Sequence, residues 1–143
     1  MIFNVVGGGK LPTPEEIGAV SMKLLWENAN PESEFPAQTV LLDLIGYDYI
    51  FVQSITTNTT KGNGNYQPLI LIPNLVGASG AISSSGSSGD SVFWFHDRYA
   101  SISSNGVTFS NGHMLSAGGG NTHYPNRNDR AVPVAIYGVK GVS

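Results

Sequence analysis

The stretch DSVFWFHDRYASISSNGVTFSNGHMLSA, residues 90–117, decides the fold. Its first half is aromatic and β-branched and alternates with a period of two. Val92, Trp94, His96, Arg98 and Ala100 fall on one face of an extended chain, and Phe93, Phe95, Asp97 and Tyr99 on the other. The pair Asn-Gly then occurs at 105–106 and at 111–112, the favoured dipeptide for a tight hairpin turn because both residues tolerate positive φ. The expectation is a meander: a long strand, a turn, VTFS, then a second turn or bulge and HMLSA.

The same texture extends in both directions. TVLLDL puts Val40, Leu42 and Leu44 on one side and Thr39, Leu41 and Asp43 on the other. YDYIFVQSI is apolar on both faces, as in a strand covered twice. PLILIPNL is a strand between prolines, which favours a sheet edge. AVPVAIYGV is a last strand with Val132, Val134 and Ile136 together. GASGAISSSGSSG, residues 77–89, reads as a flexible loop by composition. No stretch from residue 23 onward sustains a 3.6 period, so the expected fold is all-β, a jelly-roll-like β-sandwich over residues 23–143. Residues 1–22 are expected to be an anchoring arm. In it, Thr13, Pro14, Glu15 and Glu16 can start a short helical turn, and Ile2, Phe3, Val5, Val6 and Ile17 supply apolar contacts to a neighbouring chain.

Composition narrows the function. Charged residues are 12% of 143, and seven Lys plus Arg are too few and too scattered for a phosphate-backbone footprint. There are no cysteines, hence no disulfide, thiolate metal site or Cys nucleophile. No apolar run approaches the ~20 residues of a membrane span, and the first residues lack the pattern of a signal peptide. The expected site of synthesis is therefore a cytoplasm. GGGK at 7–10 lacks the spacing of a phosphate-binding loop. No nucleophile elbow is present, and no carboxylate pair stands out for glycoside hydrolysis. His96, His113 and His123 have no metal-ligand spacing, and neither a metal nor a cofactor is expected.

Two places carry candidate binding groups. Trp94, His96 and Arg98 share a strand face and form either an aromatic and cationic ledge for a sugar or carboxylate, or a structural set in which Arg98 meets a carboxylate of another strand. Residues 118–130 form a Gly-led polar loop. There Asp129 and an arginine can pin the chain, while His123, Tyr124 and Asn126 are candidates for ligand contact.

PEEIGAVS resembles connector segments of bacteriophage tail fibres and prophage structural proteins. LLWENANPESEFPAQTVLLDLIGYDYIFVQ and NRNDRAVPVAIYGVKG are similar to the opening and closing parts of a β-domain in structural proteins of phages of Gram-positive bacteria. The resemblance implies a virion protein, commonly a homotrimer, whose β-domain contacts the host surface, and no catalytic residue transfers with it. The length suits a tail tip, a head fibre or a capsid decoration protein. The implied partners are further copies of the chain, other virion proteins met through the arm, and a host glycan, with no nucleic acid or membrane. A small polysaccharide-degrading enzyme is the competing class.

Overall fold

The computed structural model describes residues 20–57, 68–88, 92–118 and 120–141. The anticipated arm, with Ile2, Phe3, Val5, Val6, Ile17 and the helical turn, lies outside the described residues, as does most of the polar loop after residue 57. Among the described residues there are ten strands and no helix. They are β1 (Val20–Glu27), β2 (Gln38–Leu41), β3 (Tyr49–Thr57), β4 (Leu69–Pro73), β5 (Ser79–Ser88), β6 (Val92–Ser103), β7 (Gly106–Phe109), β8 (His113–Ala117), β9 (Thr122–Tyr124) and β10 (Arg130–Gly141).

Two antiparallel sheets share one core. The first has the order β1-β10-β3-β4; the second has β2-β7-β6-β8-β9, with β5 on the other side of β6. Their inner faces meet through Ile50, Val52, Ile72 and Ile136 from the first sheet and Val40, Ile82, Ile102, Val107 and Phe109 from the second. Of the expected architecture the structure therefore carries two antiparallel sheets packed as a sandwich. β1 begins at Val20, so the first strand reaches into the segment read as arm.

The alternating strands behave as their patterns require. In β2, Val40 is buried and Thr39 and Leu41 are exposed. β3 lies between β10 and β4 but is covered on one face and not on both as expected, since Ile50 and Val52 are buried while Tyr49 is exposed; β4 is an edge, as its prolines suggested. β10 is a central strand that contains Pro133, which has no N–H to give. The ladder accommodates it at a register shift between Pro133 and Ala135, where Asn28 reaches across: its N–H meets the Val134 carbonyl at 2.9 Å and its amide meets the Pro133 carbonyl at 2.9 Å.

Three expectations are corrected. Most of the Gly/Ser stretch read as a loop is a strand, because Ser79–Ser88 pairs with β6 over its whole length. Its small residues fit the bulk opposite them. A Cβ on Gly86 would fall inside the Trp94 indole, and Ile82 is a fully buried anchor. Low complexity here is complementarity to the aromatic strand β6.

The hairpin expected between the long strand and VTFS forms, but its turn is shifted by one residue from the Asn-Gly pair. The β6–β7 turn is Ser104–Asn105, and Ala131 is the one non-glycine with positive φ among the described residues, so Asn105 is not left-handed. Gly106, at φ 152°, starts the next strand beneath the Val40 carbonyl. The second pair interrupts a single return path instead of reversing it. β7 pairs with Ala100–Ser103 and β8 with Phe93–Asp97, both along β6. Finally, the polar loop at 118–130 contains a strand, β9, which pairs with β8.

Candidate functional site: the outer face of β5, β6, β8 and β9

Cross-strand partners in an antiparallel ladder share a face. The outward rows of the second sheet are therefore Ser83–Asp97–His113, Ser85–Phe95–Leu115–His123 and Ser87–Phe93–Ala117. Phe93 is 52% and Phe95 50% exposed, far above what two phenylalanines facing water with no task require. Around them run three shallow depressions. One of about 240 Å³ is lined by Phe95, Asp97, His113, Leu115 and His123. The next, about 360 Å³, adds Ser83 and Ser85, and the third, about 290 Å³, lies between Ser87 and Phe93. Phe95 borders all three.

Polar groups flank this aromatic platform. The Asp97 carboxylate meets His113 Nδ1 at 2.9 Å, and the His113 and His123 rings stand 5.9 Å apart. The row order speaks to chemistry. Asp97 sits between Ser83 and His113, whereas nucleophilic serine catalysis needs the imidazole between hydroxyl and acid. These rows carry one carboxylate, Asp97, while glycoside hydrolysis uses two. Among the described residues no group of three or more His, Cys, Asp or Glu could hold a metal ion. The face can stack a flat apolar surface on Phe93 and Phe95, and it offers hydroxyls, imidazoles and a carboxylate at the rim.

The residues singled out in the sequence divide between two places. His123 belongs to this outer face. Trp94, His96 and Arg98 point the other way. Trp94 stacks on His96 at 4.5 Å and 15°, and His96 is 3% exposed with its Nδ1 unpartnered. Burial, reinforced by the nearby Arg130 charge, pushes the His96 imidazole down to about 4. Arg98 has no exposed surface. Its guanidinium donates to the carbonyls of Ala131 (2.9 Å), Ser110 (2.6 Å), Arg130 (3.1 Å) and Asn128 (3.4 Å) and lies 5.4 Å from the Phe35 ring centre. It is not a surface ledge, and among the described residues it partners no carboxylate. It ties the return strand to the chain entering β10.

The loop between β9 and β10 is stapled in the same region. Arg127 grips Asp129 with two contacts of 2.9 Å, and Arg130 approaches the same carboxylate at 3.3 Å. The Arg127 hydrogen bond holds the Asp129 carboxyl below its usual range. Tyr124 follows Met114 onto the face opposite His123 and lies 5.8 Å from the Arg127 guanidinium. The Asn126 side-chain oxygen accepts from Asn111 at 3.0 Å. Gly112 leaves no room for a side chain: a Cβ would meet the Arg127 carbonyl, with the Arg130 carbonyl at 2.8 Å and Arg98 Nη2 at 2.9 Å.

Sequence reasoning therefore missed Phe95, Asp97, His113 and the outward serines Ser83 and Ser85 as one surface. The signal was present as the alternation Phe93, Phe95, Asp97, Tyr99. The serines were hidden because β5 was taken for a loop.

No helix of the described residues is long and apolar enough to cross a membrane. Comparison with known proteins gives no match to any family model, curated protein or solved structure.

Proposed function

We propose that the chain is a non-enzymatic phage virion protein, of tail-tip, fibre or head-fibre type and homotrimeric, which attaches to a host-surface glycan through the outer face of β5, β6, β8 and β9. The observation that carries the reading is Phe95, half exposed at the junction of three depressions and rimmed by serine hydroxyls on one side and the Asp97–His113 pair on the other. A pyranose ring is apolar on its C–H faces and hydroxylated at its edges. It needs an aromatic platform with neutral donors and acceptors around it. The low charge of the chain suits a neutral ligand of this kind. The single carboxylate in the rows and the order Ser83–Asp97–His113 favour binding over hydrolysis.

The test is calorimetric titration of the protein with purified cell-wall polysaccharide fragments of a Gram-positive host panel. Phe95→Ala is expected to weaken binding at least tenfold, the equivalent of ~1.4 kcal/mol of lost ring contact. Its melting temperature should be unchanged, because the ring is already half in water. Equal binding by Phe95→Ala, or no binding of any glycan by the parent, refutes the assignment. Particle binding without glycan binding supports capsid decoration instead. Release of reducing ends from the polysaccharide supports the depolymerase.

A further inference from the structure

The first sheet has an outer face of a different kind. Leu24 (β1), Tyr137 (β10), Phe51 (β3) and Leu71 (β4) form one cross-strand row spanning all four strands. The next row is Met22, Val139, Tyr49 and Pro73. No charged side chain occupies either row; the neighbouring row is Glu27, Ala135, Gln53 and Leu69, with its one carboxylate on the edge strand β1. Yet Met22 is 58%, Leu24 47%, Tyr49 43% and Leu71 54% exposed. Phe51 and Tyr137 pack edge to face at 5.9 Å, which keeps the centre of the face rigid.

The dimensions make this a patch that demands a cover. Four strands at ~4.8 Å spacing and about five residues at ~3.4 Å rise, the length of β4, occupy roughly 19 by 17 Å, or ~320 Å² in projection. A contiguous apolar patch of ~300–600 Å² on a soluble protein is often functional. The footprint is about two fifths of the ~800 Å² that each partner gives to a stable protein interface. Accessible area on a corrugated sheet is larger still.

We infer that this face is where copies of the chain associate, and the reading rests on the oligomeric part of the proposed function. Three features select a second copy over other occupants. The two rows carry no charge to steer or select a partner of opposite sign, and they are apolar and flat enough to meet their like. Their accessible area, larger than the projection, is of the order that a small interface takes from each partner. The apolar start of the chain, Ile2–Val6, would present about three side chains to one side if extended. It would cover one strand width out of four.

The test is sedimentation equilibrium of the full-length protein at 1–50 μM, beside Leu24→Glu/Leu71→Glu. Both positions face water in an isolated chain, so the charges are tolerated by the fold and intolerable only in a closed interface. The parent is expected to be oligomeric, and the double variant monomeric with at least 100-fold weaker association. Leu71→Glu alone, at the edge of the sheet, is expected to weaken association if the double variant fails to fold. Unchanged association in the variants overturns the inference. A monomeric parent also overturns it: without binding of an anilinonaphthalene dye, the chain covers its own face, and with dye binding, a different partner does. Per-site glycan affinity should be unaffected in Leu24→Glu/Leu71→Glu, and Phe95→Ala should remain oligomeric, so failure of this inference and failure of the glycan reading are distinguishable.

Discussion

Arg98→Met removes the guanidinium that joins Ser110, Asn128, Arg130 and Ala131 while keeping most of the side-chain stem. Three carbonyls, at 2.6, 2.9 and 3.1 Å from its nitrogens, lose their donor. A buried acceptor left without a donor costs about 1–2 kcal/mol, so three cost ~3–6 kcal/mol. The lost cation–π contact over Phe35 adds ~1 kcal/mol. Against this stands the cost of holding a charge in the interior. Burial pushes the guanidinium down from its ordinary value to about 10. At neutral pH the group is charged in both folded and unfolded chains, so that cost of ~3 kcal/mol is fully in force and is relieved by methionine. The net loss is about 1–4 kcal/mol, a drop of ~4–15 °C in melting temperature for a domain of this size. Calorimetry and urea titration measure it. Hydrogen exchange locates it: the Arg127 and Phe35 amides, bonded to the Gly112 carbonyl at 2.8 Å and the Asn128 carbonyl at 3.0 Å, should lose protection. Ladder amides between β3 and β10 should keep theirs. A melting temperature within 2 °C of the parent with those two amides still protected would refute the claim that Arg98 holds these segments together.

Gly112→Ala should strike the same junction from the other side. The new methyl meets the Arg127 and Arg130 carbonyls, which are backbone and cannot swing away, so a loss of ~2–4 kcal/mol is expected by urea titration. A neutral effect would show that the chain has slack there. His96 predicts a pH dependence. Its folded-state value of about 4 lies below the ordinary 6.5, so the unfolded chain takes up the proton first. Stability from this group is full above pH 6.5, declines as pH falls toward 4 and is constant below, by ~3 kcal/mol in all. Unfolding free energies at pH 7 and pH 4.5 should differ by ~2 kcal/mol more in the parent than in His96→Phe. Equal differences would mean that the imidazole is not buried neutral.

Much of the fold was legible because alternation is a direct image of sheet geometry. Val40 against Leu41 sorts itself by face with no other information, whereas β3 does not, because Tyr49 on its open face is as apolar as Ile50 and Val52 on its buried one. The prolines around Leu69–Pro73 marked an edge for the same reason: a missing donor is tolerated where no neighbour needs it. What could not be read was the choice between faces. On β6 the set Trp94, His96 and Arg98 was open to a surface ledge or a structural role and is interior, while the alternation alone did not say that the Phe93 and Phe95 face is the outward one. Hydrophobicity fails here because Arg98 is satisfied by backbone carbonyls, which leave no trace in residue identities. β5 failed for a related reason. Its glycines and serines are uninformative alone and acquire meaning only opposite Trp94.

The two outward faces of the sandwich divide the work by chemistry. The β1-β10-β3-β4 rows are aliphatic and aromatic with almost nothing to hydrogen-bond. The β5-β6-β8-β9 rows mix aromatic rings with hydroxyls, imidazoles and a carboxylate. The first kind of surface is stable only when water is removed from all of it, which a protein partner does. The second is stable wet and can release a small polar ligand quickly. Since the sheets lie back to back, chains joined through the first sheet turn the second outward. On the proposed reading, an individual site of three shallow depressions would bind a sugar weakly. Several such sites fixed on one assembly and meeting a repetitive glycan would convert that weak contact into firm attachment, because each later contact forms at the effective concentration set by the first. Self-association and ligand recognition would then be coupled in function while separate in structure. A monomeric variant with intact sites should bind soluble fragments normally and lose adhesion to the polymer.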